Sequence, residues 1–213
     1  LTASLDQTTV AMELGQTYML NLVLDAGGGF TGAVSIATSV VDATSGTPIT
    51  GLNVSAPSTT TITQDGTTML PISIAVPINA SGTKITANLK VDVTSSLAPA
   101  NLTSAVTVDN VFTVIYADGT GTTVAKHPYP SLLTQTVSVK RGAIVRFKQM
   151  DTTPGIQHIT HGDGVWTHES TASTSGLFGD VFDEPTVGIA VGGSGQMGCH
   201  DIGSATYATF KVQ

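Results

Sequence analysis

The chain has 213 residues, of which 11% are charged, and a net charge of −7; eight lysines and arginines cannot lay the basic footprint that phosphates require, so nucleic acid is excluded as a partner. No apolar run reaches the roughly 20 residues of a membrane-spanning helix, and a single cysteine leaves no internal disulfide. Stability has to come from packed cores, and the length suffices for one large or two ordinary domains.

Thr, Ser, Gly, Val and Ala dominate, a mixture that favours strands and turns, and hardly any segment carries a 3.6-residue apolar period. The expected fold class is therefore all-β, with almost no helix. In the first half, short runs of apolar/polar alternation at 17–24, 32–37, 69–76 and 84–93 are separated by turn signals such as Asp25-Ala26-Gly27-Gly28-Gly29 and Asp65-Gly66. Several short strands at that spacing predict an antiparallel sandwich. The stretch 1–10, Gly15-Gln16-Thr17 and Gly28-Gly29-Phe30-Thr31-Gly32-Ala33-Val34-Ser35-Ile36 resemble bacterial Ig-like repeats of secreted and surface proteins. The resemblance rests on strand rhythm and turn residues and brings no catalytic residues with it.

Up to Asn110 the chain holds seven acidic residues against Lys84 and Lys90, which reads as an acidic spacer or assembly module. The sequons at Asn53, Asn79 and Asn101 are compatible with a surface setting. A start at Leu1 without a charged and apolar leader reads as a processed or trimmed chain, and the expected location is secreted, extracellular or periplasmic. A boundary is expected near 107–111, giving domains at 1–108 and 109–213.

In the second half, His127 in Lys126-His127-Pro128-Tyr129-Pro130 reads as an exposed loop residue. Residues 136–147 read as a strand, a turn at Gly142 and a second strand carrying Val145 and Phe147, and 151–158 as a loop ending at His158. In His158-Ile159-Thr160-His161-Gly162-Asp163-Gly164 the Gly-Asp-Gly triplet predicts a tight turn; for His161 and His168, loop hydrogen bonding and metal ligation stand as equal readings. Asp180-Val181-Phe182-Asp183-Glu184 reads as a solvated turn, with a Ca²⁺ ion or a cationic partner as the alternative. Then Gly195-Gln196-Met197-Gly198-Cys199-His200-Asp201-Ile202-Gly203 leads into a closing β-like run at 205–212.

Cys199 beside His200, with His158, His161 and His168 upstream, is the most chemically specific feature. Thiolate with imidazole is a ligand set for copper or zinc, and a trigonal His/His/Cys site suits copper that exchanges electrons; against this stands the ordinary role of a free cysteine as a small buried hydrophobe. A Cys/His nucleophilic pair needs a low thiol pKa and a base within reach. No protease signature or phosphate-binding loop accompanies this pair, so the chain is not expected to be an enzyme.

From 111 to 213 the chain resembles the cupredoxins. The strand, Gly turn and Val/Phe strand of 136–147, the loop to His158, and Cys199 ahead of the closing strand with Phe210 and Val212 carry the resemblance. It implies a Greek-key β-sandwich, so the whole chain is expected to be an Ig-like sandwich followed by a cupredoxin-like one. It also implies copper as cofactor, with His158 as first ligand and Cys199 as thiolate donor and electron route. Where the family places its second His this chain has Ile202, and at the axial Met it has Thr206; the implied site is non-standard, completed by His200 or His161. The expected function is a secreted or surface copper protein, with electron transfer to a redox partner protein as the role the resemblance implies. The alternative is a structural surface or filament subunit that self-assembles, its metal site lost or repurposed.

Overall fold

The computed structural model describes residues 1–97, 99–117, 124–126, 136–150, 160–164, 181–199 and 208–213. The fold is all-β, an Ig-like sandwich followed by a Greek-key sandwich, and the one helical element among the described residues is the 3-10 turn Thr186–Gly188. The chain divides into two compact units, Leu1–Pro77 with Lys84–Asp109, and Ile78–Thr83 with Asn110–Gln213.

The first unit is built from β1 (Thr2–Leu5), β2 (Thr9–Glu13), β3 (Thr17–Ala26), β4 (Gly32–Asp42), β5 (Asn53–Ser55), β6 (Thr59–Ile62), β7 (Gly66–Ala75), β8 (Ile85–Thr94) and β9 (Ala100–Asp109). One sheet runs β1-β3-β7-β5 and the other β2-β9-β8-β4-β6. With β1, β3, β5 and β7 taken as A, B, D and E, and β4, β8 and β9 as C, F and G, this is the ABED/CFG division of Ig sandwiches. The period-2 pattern explains the burial. In β8, Ala87, Leu89, Val91 and Val93 are buried while Thr86, Asp92 and Thr94 face water. Leu20, Leu22 and Leu24 of β3 and Ile72 and Ile74 of β7 line the other sheet's inner face, each contributing about 1.5–3 kcal/mol by burial. The turn after β3 needs left-handed backbone, supplied by Gly28 (φ 68°) and Gly29 (φ 80°), and the Gly29 amide donates to the Asp65 carboxylate at 2.9 Å.

The second unit contains β10 (Val111–Ala117), β11 (Val124–Lys126), β12 (Thr136–Val139), β13 (Ile144–Met150), β14 (Thr160–Gly164), β15 (Val181–Pro185), β16 (Ser194–Cys199) and β17 (Ala208–Val212). Its sheets run β11-β10-β13-β15 and β12-β17-β16-β14. The β10/β13 and β12/β17 pairs are parallel and the others antiparallel. Phe112, Val114, Val145 and Phe147 of the first sheet and Val137, Val139, Phe210 and Val212 of the second are buried.

Two expectations are corrected. Gly162-Asp163-Gly164 is not a turn: all three lie in β14, paired with Met197, Gln196 and Gly195, because an available partner strand outweighs local turn preference. Of the acidic run, 181–184 is not a solvated turn but most of β15, antiparallel to β13.

Phe210 is fully buried between the sheets, so Phe210→Ala should cost about 3–5 kcal/mol in urea denaturation, whereas Lys211→Ala, on the solvent side, should stay within about 0.5 kcal/mol. Ser104 is a fully buried residue of β9 whose hydroxyl has no hydrogen-bond partner among the described residues. Removing an unsatisfied polar group relieves its desolvation, and Ser104→Ala should stabilise the protein by roughly 1 kcal/mol in the same assay; a loss of stability would show that the hydroxyl is paired.

Candidate functional site at the Cys199 end of the second sandwich

The position of Cys199 follows from the core outward. The Phe210 ring meets Phe112 edge-on at 6.2 Å between centroids and Phe147 at 6.1 Å, so one closing-strand side chain bridges both sheets. Phe210 stands opposite Gly195 on β16, and Gly195 opposite Gly164 on β14. Strand positions alternate between faces and opposed positions share one. Two residues further along the ladder Met197 is paired with Ala208 and with Gly162, and Cys199 with Thr160. Position 199 is the last residue of β16, the penultimate strand among the described residues.

The same end of the sandwich collects other strand termini. β12 is joined to β13 through residues 140–143, so the finish of β12 lies beside the start of β13. The parallel pairs then carry Ala117 and Met150, the ends of β10 and β13, to the end where β16 finishes and β14 and β17 begin. His161, the second residue of β14, stands opposite Gly198, so its parity is opposite to that of Cys199. His158 and His200 lie outside the described residues, as do His127, His168, Ile202 and Thr206. Among the described residues no group of three or more His, Cys, Asp and Glu comes together.

The other end is a hydrogen-bonded lock. Thr186, fully buried, accepts the Gly142 amide on Oγ1 at 2.9 Å, and that hydroxyl lies 2.8 Å from the Ala143 carbonyl and 3.2 Å from that of Lys140. The Asn110 side-chain amide donates to the carbonyls of Gly142 at 2.8 Å and Gly82 at 3.3 Å. A Cβ on Gly82 would collide with the Arg141 carbonyl, and Gly142 holds φ at 100°, so this approach requires glycine on both sides.

Sequence reasoning missed Glu184. It stands opposite Val145, which stands opposite Phe112, so it shares the core-side row of two fully buried apolar residues. It is 8% exposed, and burial raises its carboxyl from 4.5 to about 7. Its neighbour Asp183 has the opposite parity and makes a two-pronged pair with Arg146, both contacts at 2.7 Å. The signal in the sequence was the two-residue spacing of Glu184 from Phe182 within one strand, which an acidic pair obscures.

Thr186→Val should cost about 1–3 kcal/mol by leaving the Gly142 amide without its partner, while Thr186→Ser should keep most of the stability. A larger loss in Thr186→Ser than in Thr186→Val would show that the methyl group, rather than the hydroxyl, matters.

No family model matches the chain, and no curated protein matches it. Among solved structures it is similar to a chain of the Salmonella enterica SafA pilin–SafB chaperone complex, at 11% identity and a TM-score of 0.38, covering 51% of this chain and 54% of that one. A chain of the CsuC–CsuE chaperone and tip subunit complex of Acinetobacter baumannii gives 15% identity and 0.36, covering 51% and 57%. The Escherichia coli chaperone DraB gives 12% and 0.36, covering 99% and 95%. The chain thus spans little more than half the length of the first two.

Proposed function

We propose that the chain is a non-enzymatic structural subunit of a secreted or cell-surface assembly, in which sandwiches serve as packing modules between copies. The observation that carries this reading is the outward face of the β1-β3-β7-β5 sheet. A water-facing sheet ordinarily alternates cleanly to polar residues, yet here Met19 and Met69 are 58% and 57% exposed. Met69 stands opposite the half-buried Val23, and the exposed Pro71 opposite Asn21, so apolar groups recur along two adjacent strands. β5 covers only 73–75 of β7. Pro71, which has no amide hydrogen, lies on the uncovered stretch, where it interrupts ladder pairing with a foreign strand. Contact through the face rather than the edge is what this arrangement favours. Among the described residues no helix is long and apolar enough to cross a membrane.

Sedimentation velocity over a wide concentration range tests the reading. Wild type should self-associate reversibly, and the double variant Met19→Glu, Met69→Glu should weaken association at least about tenfold, since each charge would have to be desolvated in the contact. A wild-type protein that stays monomeric at every concentration would remove the reading.

A metal centre is the second reading, favoured by the pairing of Thr160 with Cys199. His158 is two residues before Thr160 in the chain, which fits the resemblance to cupredoxins, with Cys199 as thiolate and His158 as imidazole donor to copper. His200 or His161 would supply the third donor. Cu(II) added to purified protein should then give an intense thiolate-to-copper absorption that Cys199→Ser abolishes and that His200→Ala or His161→Ala shifts. Stoichiometric binding without that band would sink the electron-transfer role.

A further inference from the structure

Two of the chain's five methionines stand in water on one sheet face. Leu20, Leu22 and Leu24 of β3 and Ile72 and Ile74 of β7 are buried, and side chains alternate along a strand. Met19 and Met69 therefore project from the opposite, outward face, at 58% and 57% exposure. Met19 stands opposite Ser73 and Met69 opposite Val23, with Asn21 and Pro71 paired between those rows. The two thioethers thus occupy diagonal corners of one small patch, each with a short side chain as its cross-strand neighbour. Met12 of β2 is the contrast, 3% exposed in the core of the same unit, and Met150 is half-buried.

Leucine or valine would make an apolar contact face as well. A thioether adds a reaction that they lack. Its sulfur attacks one oxygen of a peroxide, the O–O bond breaks and an S–O bond forms; the departing hydroxide takes the proton from the sulfur-bound oxygen and leaves as water. Sulfur loses two electrons and the peroxide gains them, so a flexible apolar side chain becomes a polar sulfoxide.

We propose that Met19 and Met69 are paired oxidation sites through which a peroxide switches off contact between copies of this chain. The switch rests on the reading of this face as the contact. A sulfoxide at either position opposes association, because its strongly accepting oxygen would have to be desolvated there. The linkage is reciprocal: a partner copy that covers the two sulfurs shields them from the oxidant, and oxidation of the free chain withdraws it from the assembly.

Hydrogen peroxide added to the full chain tests this, with peptide mass mapping over time for the sites and sedimentation velocity of the oxidised product for the consequence. In dilute protein Met19 and Met69 should each gain one oxygen atom at least about tenfold faster than Met12, and that advantage should shrink as concentration drives association. The oxidised protein should associate at least about tenfold more weakly than the untreated one. The double variant Met19→Leu, Met69→Leu should associate like wild type and ignore peroxide, although it keeps Met12, Met150, Met197 and Cys199. Oxidation of Met12 as fast as the other two, an oxidised wild type that associates as before, or an equal weakening of the leucine variant by peroxide would each overturn the switch. Wild type that is monomeric before any peroxide is added would instead remove the contact itself, and the switch with it.

Discussion

The contact of Phe210 with Phe112 and Phe147 fixes more of the second sandwich than any other. It sets which face of β17 looks inward, and pairing transmits that choice strand by strand: Gly195, Gly164, then the row of Met197 and Gly162, then Cys199 and Thr160. Since a strand has a period of two, a slip of one residue would turn every one of these positions to the other face. The register of the whole ladder is therefore tied to an aromatic contact that contains no polar atom.

The two ends of this sandwich are built for different tasks. At one, Thr186, Asn110, Gly82 and Gly142 satisfy backbone groups with short side chains and a close approach of two glycines, an arrangement that leaves little freedom. At the other, strands finish together with Cys199 among them. In the first unit the hydrogen-bonding interest is at the turns, where the Asp42 carboxylate accepts the amides of Thr44 and Ser45, contacts that lower its pKa. The chain thus anchors itself by backbone satisfaction and spends its few charges sparingly. Glu184 is the exception, a charge-bearing group placed where the pattern calls for an apolar one.

Much of the fold was legible because alternation is written plainly in runs such as Ile85–Thr94, where every second residue is Ala, Leu or Val. Strands of three or four residues, such as Asn53–Ser55, carry too few positions for a period to show. Gly162-Asp163-Gly164 misled because turn residues state a local preference that pairing with β16 overrides. Asp183 and Glu184 misled because charge was taken as exposure, when one is paired outside and the other buried. At the candidate site, Cys199 at the close of a penultimate strand could be read from its spacing to the last strand. The opposite parity of His161 could not, since it depends on which residue of β14 faces Cys199, and no single-strand pattern reveals a cross-strand register.

That register is the point on which the account turns. Nuclear Overhauser contacts between the backbones of β14 and β16 measure it directly. The account requires Thr160 to lie opposite Cys199 and His161 opposite Gly198; cross-strand contacts that pair His161 with Cys199 instead would contradict it.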